Sequence, residues 1–242
     1  MSLGCTAAAL SGCGGGGDGS SAQLQASTQP QASDSSRPVD IDMYGDSTMA
    51  GLTMVSPGKY VITPASEPAN VQQDLGSRVR IWNQGVSGTT LQQLIDGTDG
   101  QHTMNLQQLM AKSASKIVVE NFAINDASSQ SLLQYMSNVD YFVTQARANG
   151  KVPVIDEPNP VCDGTSKNIP ELEAEVAALE QYAATYRVAI VQQYAYIKSL
   201  PDWQSMLVDC IHPEEALYKI KADRVAEALK PLIQCIQNGT CT

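Results

Sequence analysis

Positive charge is scarce in this chain of 242 residues: fifteen Lys and Arg face twenty-five Asp and Glu, for a net charge of -10. That balance argues against a binder of nucleic-acid backbones, whose affinity comes mainly from neutralising phosphates. It also disfavours electrostatic adsorption to anionic lipid headgroups. Long apolar runs are absent as well, and none approaches the length of a membrane span. Histidine occurs only at positions 102 and 212, so any imidazole chemistry has two candidates. No Cys-x-x-Cys pair is present, which removes the usual zinc spacing, and His212-Pro-Glu-Glu does not match His-Glu-x-x-His. Residues 51–59 imitate a phosphate loop, but the glycine spacing is wrong and Tyr60 stands where Ser or Thr is required. No Gly-x-Ser-x-Gly elbow, internal repeat or second domain is found.

What is present is an alternation of apolar runs and longer helical patterns. Runs suited to buried parallel strands fall at 39–44, 79–82, 116–122, 152–155 and 187–191. Helical stretches are expected at 48–54, 68–76, 89–96, 103–112, 128–149, 170–184 and 213–233. Pro170 and Glu171 suit a first helical turn, and Gly150 is placed to end the helix before it. Residues 53–67 read as an irregular insertion. This order predicts an α/β fold, a three-layer α/β/α sandwich with a mostly five-stranded parallel sheet, with ligands at the carboxyl ends of the strands.

Four short blocks lie at those ends or in the loops beyond: Gly45-Asp46-Ser47-Thr48, Asn83-Gln84-Gly85, Asn125-Asp126 and Asp209-Cys210-Ile211-His212. In this order they resemble the SGNH, or GDSL, hydrolases over about residues 38–242, a family with a flavodoxin-like sheet. The resemblance implies a serine esterase. Ser47 would be the nucleophile, His212 its base and Asp209 the carboxylate that orients the imidazole. The oxyanion would be held by the backbone N–H groups of Ser47 and Gly85 and the side-chain amide of Asn125. No metal or organic cofactor is needed for such chemistry. Two departures stand out: Ala123 occupies a position where the family usually has Gly, and Thr48 follows the Gly-Asp-Ser where many members have Leu. The latter resembles members acting on acetylated carbohydrates. Asp46 and Asp126 are expected to hold turns, and His102, in a polar stretch, to be a solvated loop residue. Adjacent acids on a strand point to opposite faces, so Asp156 and Glu157 are not read as a catalytic pair. The acyl pocket is expected to be shaped by Met49, Met54, Tyr60 and the 86–90 loop.

The N-terminal region divides from the domain. Leu10-Ser11-Gly12-Cys13 resembles the lipobox of bacterial lipoproteins, in which Cys13 would be lipidated, although the basic start of a leader is missing before Arg37. Residues 1–13 are accordingly read as the remnant of a truncated leader, with Met1-Ser2-Leu3 as a cloning scar. Residues 14–37 read as a flexible linker with a reach of roughly 25 to 30 Å, and residues 38–242 as the hydrolase domain. The reading is an exported enzyme of the bacterial cell envelope, lipid-anchored on the periplasmic or cell-surface side, that meets the membrane only through Cys13. Setting aside Cys5 and Cys13, four cysteines remain, which allow three pairings. Those expected are Cys235–Cys241 and Cys162–Cys210. The substrate would be a small-molecule or polymer ester, including an acetylated carbohydrate or envelope polymer. Lysophospholipase or thioesterase work, O-acetyl transfer, or an inert binding module on the same scaffold are the alternatives.

Overall fold

The computed structural model of the protein describes residues 37–167 and 169–240. Cys13, the lipobox and nearly all of the expected linker lie outside the described residues, as does Cys241. Along the chain the elements are β1 (Val39–Gly45), α1 (Ser47–Ala50), β2 (Leu52–Ser56), β3 (Lys59–Ile62), α2 (Glu67–Leu75) and β4 (Val79–Gly85). There follow α3 (Leu91–Asp96), α4 (Leu106–Lys112), β5 (Ile117–Asn121), α5 (Leu132–Ala148) and β6 (Val152–Asp156). The last are α6 (Pro170–Tyr186), β7 (Ala189–Val191), α7 (Tyr194–Lys198) and α8 (Glu215–Gln237).

Five strands form one parallel sheet in the order β4-β1-β5-β6-β7. Because side chains alternate along a strand, β1 sends Ile41 and Met43 to one face and Tyr44 to the other. On the first face Ile41, Met43, Val119 and Val154 pack with Val71 and Leu75 of α2 and Val225 and Leu229 of α8. On the second, Tyr44, Val118 and Ile155 meet Leu91, Met110, Phe142 and Leu179 from α3, α4, α5 and α6. Helices on both faces explain why the strands read as near-continuous apolar runs rather than alternating ones. The fold is the expected three-layer sandwich, with the sheet's carboxyl ends gathered on one rim. Among the described residues no helix is long and apolar enough to cross a membrane.

Two expectations fail beside β1. The helix expected at 48–54 lasts only one turn, because Gly51 adopts a left-handed φ of +94° and ends it. The segment read as irregular is instead an antiparallel hairpin, with Leu52 opposite Ile62 and Met54 opposite Tyr60. Its β-branched and aromatic residues (Thr53, Val55, Tyr60, Val61, Ile62) favour extended backbone, and Gly58 turns the chain at φ +74°. The hairpin is a separate two-stranded sheet. Helix α7 and a 3-10 turn at Trp203–Met206 were not expected either; both are short, and short elements leave little periodicity to read.

Candidate active site

Ser47 is the first residue of α1, immediately beyond the end of β1. Asp46 caps that turn, accepting from the Thr48 backbone N–H at 2.8 Å and the Thr48 hydroxyl at 2.9 Å. The Ser47 Oγ lies 2.8 Å from His212 Nε2, and His212 Nδ1 lies 2.7 Å from Asp209 Oδ2. The other carboxylate oxygen of Asp209 accepts the backbone N–H groups of Ile211 (3.0 Å) and His212 (2.7 Å). Burial opposes the charge on Asp209, but these bonds and the imidazole outweigh it and hold the carboxyl below its ordinary value. A hydroxyl on Nε2 and an ionised carboxylate on Nδ1 is the arrangement that lets an imidazole take the hydroxyl's proton and remain oriented as it does so.

The loop bearing this His-Asp pair is held from several sides. Cys210 is joined to Cys162 with 4.9 Å between their Cα atoms, the pairing expected from the sequence. Cys162 N–H donates to the Cys210 carbonyl (2.9 Å), Val208 N–H to the His212 carbonyl (2.9 Å), and the Asn159 amide to the Ile211 carbonyl (2.9 Å). Between Asp209 and His212, Cys210 itself sits at φ +67°.

Beneath the site runs a buried polar chain. The Thr48 hydroxyl also reaches Asn121 Oδ1 (3.1 Å), the Asn121 amide donates to Asp156 Oδ2 (3.1 Å), and Gln193 donates to both Asp156 Oδ1 (3.0 Å) and the Lys221 carbonyl (3.1 Å). Lys221 Nζ, wholly buried on α8, is 2.7 Å from Glu67 Oε2. Burial pushes the Asp46 carboxyl up, with Thr48, Lys221 and His212 pulling the other way. Thr48 is therefore a structural member of this chain and is 1% exposed. Met49, expected to shape an acyl pocket, is packed into the core under the sheet.

Of the expected oxyanion donors, the Asn125 side chain is fixed by two partners. Lys167 Nζ lies 3.1 Å from its Oδ1 and 2.8 Å from Ser128 Oγ. An ammonium can only donate, so this contact assigns the amide: Nδ2 is the other atom, giving one hydrogen to the Thr89 carbonyl at 3.0 Å while the second meets no acceptor among the described residues. The Ser47 N–H, at the start of α1, meets no acceptor among the described residues.

Gly85 does not serve as expected. Its N–H donates to Asn83 Oδ1 at 2.9 Å. Its lack of a side chain has another use: a Cβ there would fall 2.3 Å from the Ala50 backbone nitrogen, so Gly85 lets β4 press against α1. The Gly88 N–H, at φ +79°, meets no acceptor among the described residues and lies next to the Thr89 whose carbonyl holds the Asn125 amide.

His102 also departs from expectation. Its side chain is 7% exposed, bonded to Asp99 Oδ2 at 2.6 Å and to Gln84 Oε1 at 3.1 Å. The polar stretch around it is folded onto itself by Asp99, which also caps the Gln101 and His102 backbone. Asp126 holds a turn as expected, receiving the Ala123 N–H at 3.4 Å, and also ties down the start of α3 through the Leu91 N–H at 3.0 Å.

Ala123 has φ +110°, a region in which a side chain is strained. The Gly that the family resemblance puts at this position is thus explained by backbone geometry. Ala123→Gly is expected to raise stability by about 1 kcal/mol, the strain relief exceeding the entropic cost of Gly. A thermal melt should show a Tm increase of roughly 2 to 4 °C, and an unchanged or lower Tm would contradict the strain.

The sequence pattern of the GDSL-like lipase/acylhydrolase family matches residues 43–220, well over half of the chain. The chain belongs to this family. Solved structures share the fold of this GDSL-like hydrolase: an aryl esterase from M. smegmatis (TM-score 0.66, 18% identity, covering 80% of this chain and 99% of that one) and a carbohydrate acetylesterase from Sinorhizobium meliloti (0.65, 15%, 80% and 99%). A lipase/acylhydrolase from Enterococcus faecalis is comparable (0.63, 16%, 80% and 96%). At these identities the likeness establishes the fold alone. No curated protein matches the sequence.

Lys167 escaped the sequence reading of the GDSL-like hydrolase's site, and Tyr60 and the 86–90 loop that holds Gly88 were expected only as walls of an acyl pocket. Gly88 could have been found as the second glycine of Gly85-Val86-Ser87-Gly88, the one past the strand end. Tyr60 Oη, 3.0 Å from Asp209 Oδ2, arrives from the hairpin, and Lys167 from the loop before α6. Neither carries a local signal.

Proposed function

We propose that this GDSL-like hydrolase is a serine esterase that removes short acyl groups, acetyl above all, from a polyhydroxylated alcohol. The observation that carries the reading is the continuous relay from Ser47 Oγ through His212 to Asp209, at 2.8 and 2.7 Å. Ser47 Oγ attacks the ester carbonyl while His212 takes its proton. The oxyanion is held by the N–H groups of Ser47 and Gly88 and the spare hydrogen of the Asn125 amide. Collapse of the tetrahedral species expels the alcohol, protonated by His212, and leaves an acyl-serine. Water, deprotonated by His212, then releases the acid and restores Ser47.

The short-acyl, sugar-like part rests on the polar rim beside Asn125, where Ser128 and Lys167 supply hydroxyl and ammonium groups. That one fold neighbour is a carbohydrate acetylesterase is consistent with it. One observation favours a second reading, with a long acyl chain: Val55, Tyr60 and Ile62 expose 58%, 44% and 54% of their surface on the hairpin. The Cys162–Cys210 bridge supports export to an oxidising compartment.

Hydrolysis of aryl esters from acetyl to palmitoyl separates the two. The expected kcat/KM is greatest for acetyl and propionyl and lower by about tenfold or more at octanoyl. A maximum at eight carbons or longer would replace this reading with the long-acyl one.

A further inference from the structure

The Asp209 carboxylate has room for about four donors. Two backbone N–H groups take Oδ1, and His212 Nδ1 takes Oδ2. The fourth comes from 149 residues away: Tyr60 Oη on the same Oδ2, at 3.0 Å. The Tyr60 ring also stands edge-on to the His212 imidazole, with centroids 6.0 Å apart and planes at 69°. Its position is fixed at the hairpin's root, not at its tip. Tyr218 Oη of α8 donates to the Leu52 carbonyl at 2.8 Å, Thr63 N–H to the Gly51 carbonyl at 2.9 Å, and the Thr63 hydroxyl to Glu215. Both ends of the hairpin are therefore tied down, the α8 ties coming from the helix that follows His212.

On the reading of Ser47, His212 and Asp209 given above, we propose that Tyr60 is a positioning residue for the relay, whose hydroxyl fixes Asp209 from the hairpin side and limits how tightly that carboxylate holds a proton on His212. Asp209 is only partly covered, its side chain being 17% exposed. Without Tyr60 that lone pair would pass to mobile water. The bond to Asp209, and then its charge, pushes the Tyr60 phenol above its ordinary value, so it remains a donor across the working range of an esterase. A donor on Oδ2 draws electron density from the oxygen that faces the imidazolium. Removing it leaves a more basic carboxylate and so a more basic His212. The other titratable groups acting on this pair are Asp46, below α1, and Tyr218, on α8. Glu214 caps α8 and Glu215 begins it, the latter engaged by Thr63. Tyr60→Phe changes none of them.

The test is Tyr60→Phe against the parent, with Ile62→Ala as control: Ile62 lies on the same strand and is exposed. In Tyr60→Phe the acid limb of the kcat/KM profile should move up by about half a pH unit. On an aryl acetate kcat should fall about fivefold with KM within twofold. Ile62→Ala should leave the limb where it is. An NMR titration of the His212 ring gives the same shift without reference to turnover, and with two histidines in the chain its signals are assigned by one His102→Gln spectrum. Superimposable titrations of parent and Tyr60→Phe, or an equal shift in Ile62→Ala, would overturn the proposal and leave Tyr60 as a wall of the cleft. Failure of the esterase reading has a different signature: Ser47→Ala would keep the parental rate while the His212 titration still reported on Tyr60.

Discussion

Ser47→Ala is expected to lower kcat on an aryl acetate by about 10⁴-fold or more. The size follows from what the hydroxyl alone does. Its one side-chain partner among the described residues is His212 Nε2. Removing it leaves the N–H groups and the Asn125 amide proposed to hold the oxyanion, which cannot start the reaction. The residual rate would be that of water activated by His212. The same variant should melt within about 2 °C of the parent, because the Asp46 cap and the Thr48 bonds that shape α1 do not involve Oγ. His212→Ala should cost a similar factor, and the double variant little more than either alone, since the residues act as one unit. Initial rates measured beside labelling by a serine-directed phosphonate decide it. A Ser47→Ala protein that hydrolyses acetate esters and takes up the label at the parental level would end the assignment.

The second large effect belongs to the bridge between Cys162 and Cys210, which are 48 residues apart in sequence. Replacing both with alanine frees a long loop in the unfolded chain and is expected to cost about 3 to 4 kcal/mol, or roughly 8 to 12 °C in Tm. The double variant is preferable to added reductant because Cys235 is disulfide-bonded too. Activity should fall further than stability implies, by about tenfold at temperatures where the protein is fully folded. Cys210 is held at φ +67° between Asp209 and His212, and without the bridge this backbone can relax and carry the imidazole off Ser47. The hydrogen bonds from Cys162, Val208 and Asn159 would slow that loss but not prevent it. A Tm within 2 °C of the parent would show that those bonds suffice to hold the loop.

The sheet was legible because parallel strands covered on both faces must be apolar throughout, and such runs stand out against amphipathic helices. Ser47, Asp209 and His212 were legible for a related reason: each belongs to a short local block at a strand end or before a helix. The failures share a cause as well. Gly85 and Gly88 are three residues apart at the end of β4 and just beyond it, and the sequence does not show that the N–H of the first is occupied. His102 reads as polar and solvated until Asp99 and Gln84 close over it. The hairpin was missed because Pro57 and Gly58 broke the pattern into pieces too short to show a period of two. Tyr60 and Lys167 depend on chain segments brought together only in three dimensions.

The hairpin pairs with none of the five central strands. Its length can therefore change without shifting the register on which the core depends. In a program of laboratory evolution, this makes the strip carrying Val55 and Ile62 an exchangeable part: side chains can be randomised there in a search for altered substrate preference without touching the central sheet. Tyr60 is the exception within that strip. A library that randomises it together with its neighbours would couple choice of substrate to turnover, and one that holds it constant would let the two be selected apart.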